Sequence, residues 1–188
     1  MNRRTLVNVT LAVIAAAILI AIYLANHSNT VSRSASQAPL LGTAVVGAPA
    51  PEFAVSTTHG LFDLAKAKKA VFLEVFATWC PHCQRETAVI NALYAKYAGR
   101  VDFVAVSGSA VGGDGRSPES QDDVLNFADA FHVRYPIAYD AGLRVAKLYL
   151  QGGYPTIVVI NEKKIVTYIN SGEVSEAALA AQLRKAMR

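Results

Sequence analysis

The sequence predicts an α/β domain over residues 47–188 of the 188-residue chain. Apolar runs of strand length alternate here with longer segments of helical period, the pattern of an α/β fold. One strand runs directly into a helix start at Trp79-Cys80-Pro81-His82-Cys83, and a later strand opens with Pro155. These three observations predict the fold class and indicate where its chemistry lies.

A long uncharged segment precedes the domain. Residues 5–25 contain no Asp, Glu, Lys or Arg, and about 20 apolar residues are enough to cross a bilayer. Arg3 and Arg4 precede the segment, so the positive-inside rule places the N-terminus in the cytoplasm and the domain outside. A cleaved signal peptide is the alternative, but its apolar core is usually about 7–15 residues long. We therefore expect residues 1–25 to be a retained transmembrane anchor.

The segment between this anchor and the domain is predicted to be a tether. Residues 26–46 are rich in Ser, Ala, Asn and Thr and show no sustained period, which is typical of a flexible linker. The chain has 18 basic and 14 acidic residues. Without Arg3 and Arg4, 16 basic residues face 14 acidic ones, and a charge of +2 gives no case for nucleic-acid binding.

The first elements of the domain are a β-hairpin and a buried strand. Residues 48–55 and 57–64 predict two short strands around a turn at His59-Gly60. Residues 71–77 are apolar on both faces, which predicts a central strand covered on both sides. Glu74 interrupts that strand, and burial would raise its pKa enough for it to hold a proton near pH 7. We expect it to relay protons to Cys83; the alternative is an edge strand with Glu74 facing water.

The two cysteines are the only ones in the chain. Three residues apart, they lie one turn apart on the same helix face, and Pro81 suits the first helical position. The positive end of the helix dipole stabilises a thiolate at Cys80, while the more shielded Cys83 can attack a mixed disulfide and release the partner. A zinc site normally needs a second ligand pair, and a structural disulfide in so short a loop constrains the unfolded chain little. The pair is therefore predicted to be redox-active.

The remaining elements alternate between helices and strands. Glu86, three residues past Cys83, lies near the same helix face, either as a second proton acceptor or as a favourable charge in the first turn. A proline cannot donate to a strand ladder, so Pro155 is reasonable at the start of a buried strand if the Tyr154–Pro155 bond is cis. The predicted ranges are helix 81–98, strand 101–107, a glycine-rich loop 108–117, helix 120–131, strand 135–139, helix 141–150, strands 157–160 and 164–170, and a final helix after Ser175.

This order of elements resembles the thioredoxin fold, in which helices flank a central mixed sheet. The opening Ala50-Pro51-Glu52-Phe53, the approach Phe76-Ala77-Thr78-Trp79-Cys80 and the extra helix before the third strand are similar to the TlpA/ResA-type membrane-anchored thiol-disulfide oxidoreductases. The resemblance implies a bacterial cytoplasmic (inner) membrane location, with the domain facing the periplasm or exterior. It also implies protein thiol or disulfide substrates and a membrane electron-transfer partner.

The resemblance further implies a nucleophilic Cys80, a resolving Cys83 and a facing cis Pro155. We expect Trp79 and Tyr154, which adjoin these residues, to contact the substrate. We expect neither a cofactor nor a metal ion.

The direction of electron flow is open to two interpretations. Glu86 matches a glutamate in part of the family, and Glu74 falls where thioredoxin has a buried acid, but Pro81-His82 is the dipeptide of DsbA-type oxidases. His82 could stabilise the Cys80 thiolate and make the disulfide more oxidising, while ionised Glu74 and Glu86 would act oppositely. By family resemblance we predict a reductase, with a DsbA-like oxidase as the alternative. A copper-binding or copper-delivery module using the cysteines with His82 or His132 is a further alternative.

Overall fold

The computed structural model describes residues 43–188 together with the isolated positions Ile18 and Ile20. Apart from those two positions and residues 43–46, the predicted anchor (1–25) and linker (26–46) lie outside the described residues. In the part of the chain that is described, no helix has the length and apolar character needed to cross a membrane.

Residues 43–188 build one seven-stranded mixed sheet. Its order is β2-β1-β5-β4-β3-β6-β7. Strand β3 pairs in parallel with β4, and β4 with β5, whereas the other neighbouring pairs are antiparallel. The predicted N-terminal hairpin is confirmed as β1 and β2. The strands are β1 (Ala54–Thr57), β2 (Gly60–Asp63), β3 (Ala70–Phe76), β4 (Val101–Ser107), β5 (Ile137–Tyr139), β6 (Thr156–Ile160) and β7 (Val166–Ser171).

The helices begin where the sequence provides a starting signal. Pro81 is the first residue of α1, directly after the extended backbone of Cys80 (φ −81°, ψ 116°), because proline has no N–H to leave unpaired there. Ser120 and Asp123 form a capping box at the start of α2, and the Ser175 side chain caps α4. The helices are α1 (Pro81–Tyr97), α2 (Gln121–Ala130), α3 (Ala146–Tyr149) and α4 (Glu176–Ala186), with a 3-10 turn at Leu64–Lys66.

Strand β3 is buried along its whole length and separates two apolar cores. Successive side chains of a strand point to opposite faces. Phe72 and Phe76 accordingly pack in the core beneath α1 and α4, while Leu73 and Val75 pack in the core on the other face. Glu74 falls in the even-numbered set, so the register directs it towards α1.

The predicted helix 141–150 is much shorter in the structure. The Asp140 carboxylate accepts hydrogen bonds from the backbone N–H groups of Arg144, Val145 and Ala146. Leu143 takes a left-handed backbone conformation (φ 53°). Together these contacts draw the chain into a turn, and regular helix begins only at Ala146.

The glycine-rich loop after β4 closes upon itself. Val111 and Pro118 form an isolated antiparallel bridge at its base. Just inside the bridge, the Gly112 N–H donates to the Ser117 carbonyl at 2.8 Å. The Asp114 carboxylate then accepts the N–H groups of Arg116 and Ser117. The segment is therefore an ordered loop with both ends held together.

Candidate active site

The two cysteines lie where β3 runs into α1. Both are free thiols, and they differ in exposure: 4% of Cys80 is accessible to solvent but 0% of Cys83. The Cys80 side chain is one of the groups that raise the pKa of the Cys83 thiol, so the two side chains interact. Only Cys80 retains a path to solvent.

The Pro155 loop faces the accessible sulfur. The Tyr154–Pro155 peptide bond is cis, as the sequence predicts. The Cys80 thiol donates to the Tyr154 carbonyl, with Sγ 3.6 Å from the oxygen. The structure thus brings the proline, which is distant in sequence, beside the start of α1.

Two aromatic side chains border Cys80. Trp79 is 38% exposed, and its ring meets the Tyr154 ring edge-on, with centroids 5.8 Å apart and planes at 86°. The Trp79 Nε1–H donates to Ser109 Oγ at 2.8 Å, and the Tyr154 hydroxyl donates to the Gly108 carbonyl at 2.6 Å. The two rings form a fixed rim next to the thiol, and their contact with substrate stays a prediction.

Glu74 is buried behind the cysteines, with 2% of its surface exposed. The Tyr135 hydroxyl donates to Oε2 over a long 3.4 Å, and Oε1 has no hydrogen-bond partner among the described residues. Burial, and then the charge of Glu86, raise the pKa of Glu74 to about 8. Because β3 lies between β4 and β6, the alternative of an edge strand is wrong.

Cys83 and Glu74 influence each other electrostatically. Burial is the main cause that raises the pKa of the Cys83 thiol, and the neighbouring Glu74 carboxylate raises it further. A thiol of this kind needs a nearby base before it can attack a disulfide. Glu74 is placed to be that base, and its role as a relay stays a prediction.

Glu86 is buried in the first turns of α1 and bonds to a distant segment. Its two carboxylate oxygens accept the Val174 N–H at 3.4 and 3.2 Å. Burial raises the pKa of Glu86 to about 7, opposed by the Val174 hydrogen bond and assisted by the charge of Glu173. Neither role considered from sequence includes this contact, which fastens the segment between β7 and α4 to α1.

His82 is turned towards a carboxylate and not towards Cys80. Its Nδ1 lies 2.5 Å from Glu173 Oε1, and the structure gives it no hydrogen bond to the Cys80 sulfur. Arg85 Nε donates to the same Glu173 oxygen at 3.1 Å. In this arrangement His82 makes no hydrogen bond to Cys80, and a stabilising effect of its charge on the Cys80 thiolate stays a prediction.

Glu119 is a buried acid that the sequence reasoning missed. Its Oε1 accepts the Thr78 hydroxyl at 3.1 Å, and its Oε2 accepts the Ser107 hydroxyl. Burial is the main cause that raises the pKa of Glu119 to about 7. Glu119 thus connects Thr78, two residues before Cys80, with Ser107 at the end of β4. Glu119 lies beyond the glycine-rich loop, 41 residues from Thr78, so no local motif marks it in the sequence.

These groups can together perform thiol-disulfide exchange. One thiol at a helix start reaches solvent, its neighbour is shielded, and an acid with a pKa near neutrality lies behind them. That arrangement suits attack by Cys80 and release by Cys83. Within residues 43–188, no three His, Cys, Asp or Glu side chains are grouped so that they could hold a metal ion.

The sequence is similar to those of known proteins. The sequence profile of the Redoxin family matches residues 45–183. The thiol-disulfide oxidoreductase ResA of Bacillus cereus is 30% identical over 143 residues, which are 74% of this chain and 78% of ResA. The thioredoxin-like protein YneN of Bacillus subtilis is 31% identical over 142 residues, 73% of this chain and 78% of YneN.

Solved structures agree with these relatives. A thiol:disulfide interchange protein of the thioredoxin family from Chlorobium tepidum superposes with a TM-score of 0.60 at 26% identity, covering 77% of this chain and 99% of that protein. StoA from Bacillus subtilis superposes with a TM-score of 0.59 at 22% identity, covering 72% and 98%, and supports the fold alone. The chain therefore belongs to the Redoxin family, as a thiol-disulfide oxidoreductase similar to ResA.

Proposed function

We propose that this chain is a membrane-anchored oxidoreductase that acts outside the cytoplasm and reduces disulfides in other proteins. The observation that carries the proposal is the unequal exposure of Cys80 and Cys83 at the start of α1. The uncharged segment 5–25, preceded by two arginines, supports the anchor and its orientation. A membrane electron-transfer partner would return the cysteines to the dithiol form.

The exchange proceeds in two steps. The Cys80 thiolate attacks a substrate disulfide, a bond forms between Cys80 and one substrate sulfur, and the other substrate sulfur leaves as a thiolate that takes up a proton. The ionised form of Glu74, the minor form at neutral pH, then accepts the Cys83 proton as Cys83 attacks Cys80. This attack releases the second substrate thiolate and forms the Cys80–Cys83 disulfide. The substrate gains two electrons and the cysteine pair loses two.

The surroundings of the cysteines support the reducing direction. A couple is more oxidising when its thiolate is stabilised. Here buried Glu74 lies behind Cys83, and Arg85 and the His82 ring, near the start of α1, are paired with Glu173. The oxidase alternative rests on the Pro81-His82 dipeptide.

Trapping of mixed disulfides tests the exchange mechanism. The Cys83→Ser variant removes the second step, so proteins of the exporting bacterium should accumulate on Cys80 as complexes that a thiol reductant releases. The matched Cys80→Ser variant should accumulate none. Absence of complexes with Cys83→Ser would overturn the mechanism.

A redox titration of the wild-type protein against glutathione tests the direction. A reductase should have a potential near that of thioredoxin, about −270 mV, whereas a value near about −120 mV would be that of a strong oxidant and would overturn this part of the proposal.

Fractionation tests the location. The full chain should sediment with membranes and be digested by protease added outside intact spheroplasts. A version that starts at residue 43, expressed without the anchor, should stay in the supernatant. Protection of the full chain from external protease would contradict the proposed orientation.

A further inference from the structure

Three ionisable side chains form a cluster on the surface at the start of α1, where Arg85 Nη2 also lies 2.8 Å from His82 Nδ1. His82 and Arg85 lie in the first turns of α1, and Glu173 lies in the segment between β7 and α4. Glu173 Oε1 is 2.5 Å from His82 Nδ1 and 3.1 Å from Arg85 Nε. Their side chains are 38%, 61% and 57% exposed for Glu173, His82 and Arg85. We call these three residues the charge cluster.

The segment that carries Glu173 is held on both sides. On one side, the Gly172 N–H donates to the Pro155 carbonyl at 2.8 Å. On the other, the Val174 N–H donates to the buried Glu86 carboxylate at 3.2 Å. Glu173 thus stands between two backbone hydrogen bonds that join it to the Pro155 loop and to α1. Exposed ion pairs usually lose much of their benefit to side-chain mobility, and these anchors restrict the backbone that carries this carboxylate.

Arg85 is the member of the charge cluster whose charge interacts with Cys80. His82 lies between the two cysteines in the sequence. The hydrogen bonds from Arg85 and then from His82 lower the pKa of the Glu173 carboxyl, so it is ionised at neutral pH. The other titratable groups that act on the two sulfurs are Glu74, from β3, Tyr135, just before β5, and Tyr154, from the Pro155 loop.

A positive charge near Cys80 stabilises its thiolate and therefore the reduced form of the couple. Reduction adds two electrons and one proton to the disulfide when the products are the Cys80 thiolate and the Cys83 thiol. An anion that neutralises the cations, and that repels the thiolate itself, shifts this equilibrium towards the disulfide and makes the dithiol a better reductant.

We propose that Glu173 is a positioning residue that keeps the Cys80–Cys83 couple reducing, because it binds His82 and Arg85 and withholds their charge from the Cys80 thiolate. This inference rests on the proposed exchange function and adds a residue that sets its direction. It accounts for a Pro81-His82 dipeptide in a reducing protein: the histidine is engaged elsewhere.

The Glu173→Gln variant tests the proposal through the reduction potential. Purified protein is equilibrated with glutathione buffers and the dithiol fraction is measured by alkylation. We expect the equilibrium constant to shift about threefold to tenfold towards the dithiol; tenfold corresponds to about 30 mV. Glu173→Asp keeps the charge but withdraws it by one methylene, so it should shift the equilibrium less.

Glu176→Gln is the matched control. Glu176 is an exposed glutamate in the first turn of α4, and no hydrogen bond or ion pair among the described residues joins it to His82 or Arg85. The Glu176→Gln variant loses the same negative charge as Glu173→Gln, three residues further along the chain. Equal shifts for the two variants, or no shift for Glu173→Gln, would overturn the proposal.

A double-mutant cycle shows whether His82 carries the effect. His82→Gln should lower the potential more in the Glu173→Gln background than in the wild type, because only there is the imidazole released towards Cys80. Equal effects in both backgrounds would remove His82 from the proposal. The pH profile of Cys80 alkylation in the same four proteins should move towards lower pH only when Glu173 is lost.

The outcomes separate this inference from the proposed function. If Cys83→Ser traps partners but Glu173→Gln leaves the potential unchanged, the inference fails alone. If the potential shifts while no partner is trapped, the role of Glu173 in the couple stands and the exchange with proteins fails.

Discussion

Replacing Glu74 by glutamine should stabilise the folded protein at neutral pH. The carboxyl titrates near its ordinary value of 4.5 in the unfolded chain but near about 8 in the fold. Between these values the folded protein holds a proton that the unfolded chain has released. The resulting stability is fully present below pH 4.5 and is lost as the pH rises through about 8. Glutamine does not titrate, so the variant is spared this loss.

The size of the effect follows from the two pKa values. Their difference, 8 − 4.5 = 3.5 units, corresponds to about 5 kcal/mol at about 1.4 kcal/mol per unit. At pH 7 the relevant interval is 7 − 4.5 = 2.5 units, or about 3 kcal/mol. The hydrogen bond at risk on substitution is weak, because Oε1 already lacks a partner and the bond from Tyr135 to Oε2 is long. The buried N–H groups that glutamine adds lower the gain by about 1–3 kcal/mol where they stay unpaired, but this cost does not depend on pH.

Urea unfolding of the reduced proteins measures this difference. Wild type and Glu74→Gln are compared at several pH values from about 4.5 to 8.5, and the difference in the free energy of unfolding should grow by up to about 1.4 kcal/mol per pH unit. Glu86 and Glu119 also titrate near neutrality but remain in both proteins. Glu162→Gln, at an exposed residue in the turn between β6 and β7, controls for the loss of a carboxyl group.

A pH-independent difference would refute the reasoning, since it would show that Glu74 ionises in the fold as readily as in the unfolded chain. The same variant should prolong the mixed disulfide on Cys80, because Cys83 loses its base. Stability and turnover are therefore expected to change in opposite directions.

Two other substitutions test contacts around the site. Gly108→Ala would place a Cβ 2.5 Å from Val75 Cγ1 and should lower the free energy of unfolding by about 1–3 kcal/mol. Gly113→Ala, where nothing lies within 4 Å of the added Cβ, is the control. Equal midpoints of urea unfolding for the two variants would contradict the predicted clash. Tyr154→Phe removes the hydroxyl that donates to the Gly108 carbonyl and should lower stability by about 1 kcal/mol in the same assay. Tyr168→Phe is the control, because the Tyr168 hydroxyl makes no hydrogen bond within residues 43–188, and it should lower the free energy of unfolding less. A larger loss for Tyr168→Phe than for Tyr154→Phe would show that the hydrogen bond to the Gly108 carbonyl is weak.

The sequence was sufficient for the order of elements because local signals agree with the fold. Pro81 marks the start of α1, Ser120 and Ser175 cap their helices, and the apolar run of β3 reflects burial on both faces. The cis bond at Pro155 was also predictable, because a proline that opens a buried strand has no N–H to donate to the ladder. Each of these features depends on a few neighbouring residues.

The parts that escaped prediction depend on residues far apart in the chain. Glu119 meets Thr78 across 41 residues and Glu173 meets His82 across 91, and neither spacing leaves a periodic signal. The short α3 had a different cause: the Asp140 side chain competes for the backbone N–H groups that a longer helix would use. Local helix propensity does not show whether a side chain such as Asp140 or a helical carbonyl will bind these N–H groups.

The bridge between Val111 and Pro118 makes the loop between them a suitable place to insert a label. Because the Val111–Pro118 bridge holds the two ends of the loop together, the six residues at 112–117 can be lengthened without displacing either end. An epitope or a dye attachment site could be inserted at the tip of this loop, next to Asp114. Labelled protein could then be followed during docking with Trp79 and both sulfurs untouched.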